Sequence, residues 1–122
     1  MFGAACARTL PEQDRRITQA RPVAKLSADL LWKDYESDRK AADARYWGRA
    51  VDVTGKVTAV ESAAPARVVF ELEPAKAIEA RLLDDQAAAI LGSTPVGERT
   101  TLRCFCAGLS PDRVLLMSCI KP

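Results

Sequence analysis

The hydrophobic period of the chain changes at Ala50. Upstream, Leu31, Tyr35, Ala42 and Tyr46 recur at multiples of three to four residues, while Lys33, Asp34, Glu36, Arg39 and Lys40 fall mostly between them. That spacing lays one apolar stripe along a helix. Ser27 offers an N-cap oxygen, Asp29 stands in the first turn where negative charge is favoured, and Gly48 stops the run. Downstream, "VDVTGKVTAVE" alternates, with Val51, Val53 and Val57 on one face and Gly55 in step between them. The pattern predicts one helix up to Gly48, then a strand. A glycine inside a strand permits a bulge or sharp bend, which a strand needs if it is to serve both sides of a small barrel.

Four more strands follow. "ARVVFELE" sets Val68, Phe70 and Leu72 against Arg67, Val69 and Glu71, and "AIEARLL" sets Ile78, Ala80 and Leu82 against Glu79 and Arg81. "DDQAAAILG" is a short helix opened by acids and closed by Gly92. "RTTLRCFCAG" and "RVLLMSCI" flank "LSPD", a proline-containing turn, and form a closing hairpin. The order is helix, strand, strand, strand, helix, strand, strand. The fold expected is mainly β: a five-stranded OB-fold barrel (β-β-β-α-β-β) preceded by an N-terminal α-helix. A meander sheet capped by helices is the competing arrangement. Residues 1–24, with Pro11, Pro22 and scattered charge, show no sustained period and are expected to form a flexible N-terminal arm on a helix-plus-barrel domain over 25–122.

Composition narrows the chemistry. Histidine is absent, which removes the commonest metal ligand and the side chain that titrates nearest neutrality. There is no phosphate-binding glycine loop and no nucleophile elbow, and Asp84 and Asp85 read as N-terminal helix decoration. The chain is expected to be non-enzymatic, with no cofactor and no metal. Residues 1–49 carry ten basic and seven acidic side chains and residues 50–122 eight and nine, so neither part is basic enough to announce a polyanion partner. No window reaches the roughly 18 apolar residues of a transmembrane segment. "GAAC" at 3–6 ends small, small, Cys, as a lipoprotein cleavage site would, which makes Cys6 a candidate for lipidation and a periplasmic or cell-envelope location the favoured expectation.

Two candidate binding surfaces stand out. The outward face of the second and third strands offers Arg67, Val69, Glu71, Glu79 and Arg81, two cations and two anions without an aromatic ring. Base stacking is worth roughly 1–3 kcal/mol per base, so such a face forgoes the main sequence-independent term in single-strand binding. Trp32, Tyr46 and Trp47 form the other cluster, either a binding surface or rings that pack the helix onto the barrel mouth. The expected function is therefore a binding module of unknown protein or small ligand. A protein-interaction or assembly domain, including a homo-oligomer, and a single-stranded nucleic-acid binder are the alternatives.

The run "LWKDYESDRKAADARYWGRAVDVTGKV" resembles the tRNA_anti-like family of small bacterial OB-fold proteins through Leu31, Tyr35, Ala42, Asp43, Tyr46, Gly48, Val51, Val53, Gly55 and Val57. Gly97, Cys106 and Cys119 match that family's late glycine and paired cysteines, whereas Asp38 stands where it often has Asn and Cys104 where it has a small residue. These motifs carry fold rather than function, and the resemblance implies a tRNA role by analogy alone.

The four cysteines follow from this frame. Alternation places Cys104 and Cys106 on one strand face, with Cys119 on the returning strand. Zinc would need all three plus distant Cys6, and the spacing is CxC rather than the redox CxxC. A disulfide or inert core thiols remain. The resemblance implies a Cys106–Cys119 bridge, while hairpin pairing about "LSPD" permits Cys104–Cys119.

Overall fold

A computed structural model describes residues 10–73, 76–110 and 112–122. Candidate lipidation site Cys6 lies outside them. Ser27 caps the first helix as expected, its hydroxyl accepting from Leu30 N at 3.1 Å. The predicted single helix is instead two, α1 (Ala28–Ser37) and α2 (Arg39–Tyr46), broken at Asp38. Asp38 is extended (φ −160°), and its carboxylate accepts from Ala41 N at 3.1 Å while its own N–H donates to Asp34 O at 3.2 Å. One residue thus ends α1 and caps α2, because a short acidic side chain competes with the helical hydrogen bond better than it extends it. The apolar stripe survives the break: Leu31, Tyr35, Ala42 and Tyr46 are all buried. Gly48, at φ +75°, then turns the chain so that its N–H donates to Cys106 O.

The barrel strands are β2 (Ala50–Glu61), β3 (Arg67–Glu73), β4 (Lys76–Leu82), β5 (Arg99–Ser110) and β6 (Arg113–Ile120), with α3 (Asp84–Gly92) between β4 and β5. Each lies where alternation predicts it. The ring runs β2-β3-β4-β6-β5 and closes through β2–β5; β4–β6 is parallel and the other barrel pairs are antiparallel. This is a closed five-stranded OB-fold-like barrel. β2 serves both sides, meeting β5 over Ala50–Lys56 and β3 from Val57, with a register slip just beyond. Gly55 stands at the handover. A Cβ there would lie 2.9 Å from Ala28 Cβ and 3.1 Å from Phe70 Cδ1, so the glycine admits α1 and the core ring to the bent strand.

One strand was not expected. β1 (Ala24–Ser27) runs parallel to β2, from Ala24↔Val51 to Ser27↔Thr54. The arm before it is also docked over its described part, where a flexible tail was expected. A 3₁₀ turn over Arg15–Gln19 drives Ile17 to full burial against Ala50, Leu83 and Ile120, a small second core. Gln13 donates to Leu82 O and accepts from Asp84 N, Asp14 N donates to Ser118 Oγ, and that hydroxyl donates to Glu12 O. These contacts join residues far apart in sequence, so the local period carries no sign of them.

The disulfide joins Cys104 and Cys119, which corrects the Cys106–Cys119 pairing implied by the resemblance. Register explains it: Arg103 pairs with Ile120, which sets Cys104 opposite Cys119, while past an irregularity Cys106 pairs with Leu116. Cys106 is a buried free thiol.

Candidate ligand-binding face

β3, β4 and β6 lie side by side, and their outward positions bring four charged groups together. Glu79, expected on the exposed face, is buried, with only 5% of its surface exposed. It sits under three guanidinium groups: Arg81 Nε donates to its Oε2 at 2.9 Å, Arg67 Nη1 to the same oxygen at 3.3 Å and Arg113 Nη1 to Oε1 at 2.9 Å. Arg67 and Arg81 are two of the predicted site residues, and they face each other across the β3–β4 ladder. Arg113 joins them because the parallel β4–β6 pairing sets Leu115 opposite Glu79 and Arg113 one step before it on the same face. Outward alternation on the last strand was the available signal for Arg113, but the strand's neighbour was not evident from sequence.

Within this cluster the cations outnumber the carboxylates. Burial pushes the Glu79 carboxyl up, yet the Arg81 hydrogen bond and the charges of Arg81, Arg67 and Arg113 outweigh it and hold the group below its ordinary value. One carboxylate thus meets three cations whose side chains remain 29–44% exposed. Arg67 Nε is buried and lacks a hydrogen-bond partner among the described residues. Glu12 of the arm reaches Arg81 Nη1 at 3.4 Å and supplies a second, more exposed carboxylate. In an OB-fold the corresponding strands and flanking loops are the usual ligand surface, and planar guanidinium forks suit oxyanions.

The other charged hollow is different in kind. On the outer side of β1, β2 and β5 a groove of about 560 Å³ is lined by Lys25, Asp52, Thr54, Thr101 and Arg103. Four of its polar groups satisfy one another: Arg103 grips both Asp52 oxygens at 2.7 and 3.1 Å, and the Thr54 and Thr101 hydroxyls meet at 2.6 Å.

The aromatic candidates do not form one surface. Tyr46 is buried, its hydroxyl donating to Asp34 at 2.6 Å and its ring 6.4 Å from that of Tyr35, which corrects its assignment as a binding residue. Trp32 is half-buried on α1 against the main core, with Lys76 Nζ 5.9 Å from its ring. Trp47, also half-buried, packs over Gly108, where a Cβ would lie 3.3 Å from its Cδ1.

Cys106 is likewise sequestered. Tyr35 OH donates to Asp43 Oδ1 at 2.8 Å and lies 3.4 Å from Cys106 Sγ. Burial pushes the thiol up from its ordinary value, so it stays protonated at neutral pH, and a protonated, enclosed thiol is a poor nucleophile. Among the described residues no group of His, Cys, Asp or Glu could hold a metal ion, and no helix is long and apolar enough to cross a membrane.

The tRNA_anti-like family model matches residues 3–120. The chain belongs to the tRNA_anti-like family. Its match extends through the docked arm as well as the barrel, so both the arm and the arginine-lined face lie within the family region. Among solved structures, a Klebsiella pneumoniae protein named "putative nucleic acid-binding lipoprotein" is similar at a TM-score of 0.59 and 13% identity, over 88% of this chain and 95% of that one. At that identity the likeness is one of fold. No curated protein matches the chain. As a tRNA_anti-like protein, the chain is a binding module in the general sense.

Proposed function

We propose that this chain is a non-enzymatic binding module of the cell envelope that holds an anionic ligand on the outer face of β3, β4 and β6. The observation that carries the reading is the convergence of Arg67, Arg81 and Arg113 on one buried carboxylate. Glu79 fixes the three forks in place, and with Glu12 on Arg81 two carboxylates meet three guanidinium groups, which leaves a preorganised cluster in which cations outnumber anions. The buried Cys104–Cys119 bridge supports an oxidising compartment. "GAAC" and the name of the Klebsiella protein support lipid attachment at Cys6.

Single-stranded nucleic acid is the second reading, favoured by the same arginines and by that neighbour's name. The face has no aromatic side chain for stacking, so such binding would rest on phosphate contacts and fall steeply with salt. Affinity for pyrophosphate and for an oligothymidylate, measured at two salt concentrations, tests both. The expected result is salt-sensitive binding of pyrophosphate that is lost in a triple Arg67→Gln, Arg81→Gln, Arg113→Gln variant. Binding that survives the triple variant, or none at low salt, would overturn the assignment of the face.

A further inference from the structure

Arg81 takes part in two features. Its Nε holds Glu79 on the ligand face, and its side chain also lines a hollow of about 420 Å³ together with Leu10, Glu12, Ala107, Ser110, Leu115 and Met117. Four of these seven side chains are apolar. Small-molecule sites commonly have this form, a few hundred cubic ångströms of mostly apolar wall with a small number of fixed polar groups.

Register makes hollow and face continuous. Leu115, in the wall of the hollow, pairs with Glu79 across the β4–β6 ladder, and Arg113, two residues earlier on β6, donates to that carboxylate. An anion bound on the arginines therefore sits at the rim of an apolar recess. Resting on the reading of the arginine face as an anion site, we propose that the ligand is an amphiphilic anion. Its phosphate or carboxylate head lies on Arg81 and the adjoining arginines, and its alkyl tail lies in the hollow against Leu10, Leu115 and Met117.

Glu12 is the group that the head displaces. Its contact with Arg81, 3.4 Å, is longer than the 2.9 Å between Arg81 and Glu79, and Glu12 is 59% exposed, so water receives its carboxylate as it swings out. A surface pair of this kind is weak enough to exchange. The docked arm contributes both Leu10, a wall of the tail site, and Glu12, the side chain that yields at its mouth.

Calorimetric titration of the full chain with butyl phosphate, octyl phosphate and octyl glucoside, all below micellar concentrations, tests this. Octyl phosphate is expected to bind about tenfold or more tightly than butyl phosphate, since burial of two of its four extra methylenes suffices for that gain. Leu115→Ser should bring the ratio of the two toward one, and Arg81→Gln should weaken both phosphates. Leu10→Ser, on the arm, probes the same wall if Leu115→Ser does not fold. Equal affinities for the two phosphates would overturn the tail site while leaving the anion face intact. Octyl glucoside binding as tightly as octyl phosphate would overturn the head assignment. Failure of both phosphates together with pyrophosphate would remove the anion face itself. Competition in which an oligothymidylate displaces octyl phosphate at lower concentration would assign the hollow to a nucleobase instead.

Discussion

At Gly55 a single methyl group is too much. The nearest neighbour a Cβ would meet is Ala28 Cβ, 2.9 Å away and attached directly to the backbone of α1, so relief requires the helix or the strand to shift. Gly55→Ala is expected to destabilise the fold by about 1–3 kcal/mol, read as a lower urea midpoint. Ile17 makes the converse case, a buried side chain in a segment whose sequence suggests none. Ile17→Ala should cost about 2–5 kcal/mol if the arm is part of the folded unit, whereas a loosely attached arm would leave the midpoint unchanged. Glu79 tests the arginine cluster through pH. Its carboxyl is held below the ordinary 4.5, so the stabilisation from ionised Glu79 is complete above the unfolded value and is lost as pH falls through the folded one. Acid denaturation should therefore steepen below pH 4.5, and Glu79→Gln should remove that part of the acid dependence. An acid limb identical in the two proteins would mean that the three arginines contribute nothing through Glu79.

At the scale of elements, legibility followed locality. The five barrel strands and α3 stand where alternation and turn residues place them, because each strand buries one face and shows the other to water. Inward faces were equally clear: Val68, Phe70, Ile78, Ala80, Cys104, Cys106 and Cys119 are all buried. The break at Asp38 was hidden because the apolar stripe continues through it, and what separates one helix from two is local to that residue, its extended backbone and its capping bond to Ala41 N. Register was beyond reach, since turn length about "LSPD" decides which cysteine meets Cys119 and a local irregularity in β5–β6 shifts the partner of Cys106. The bridge itself gives a measurable consequence. In the unlipidated chain, two of the four cysteines should react with a thiol reagent in the oxidised, denatured protein and four after reduction, and reduction should cost about 3 kcal/mol for a loop of this length. A peptide map linking Cys106 to Cys119 would contradict the observed register.

Over the whole molecule, the barrel brings together residues that the chain keeps apart. Arg67, Glu79, Arg81 and Arg113 come from three strands, and the parallel β4–β6 contact that completes the cluster joins strands separated by α3 and β5. Sequence reasoning reached Arg67 and Arg81 from alternation but placed Glu79 in solvent, as one of two anions set against them. Burial fixes that carboxylate beneath three guanidinium groups, and Arg113 adds a third cation to the face, with Glu12 and Glu71 as its more exposed carboxylates. It also turns a surface without stacking rings from an argument against binding into an argument about the kind of ligand. The claim that this face is the ligand site is tested most directly by nuclear magnetic resonance of the isotope-labelled chain titrated with pyrophosphate. Amide and guanidinium shifts are predicted to move saturably at Arg67, Glu79, Arg81 and Arg113, with the Lys25–Arg103 groove unaffected. Shifts confined to that groove or to the Trp32 and Trp47 environments, with the Glu79 cluster silent, would contradict it.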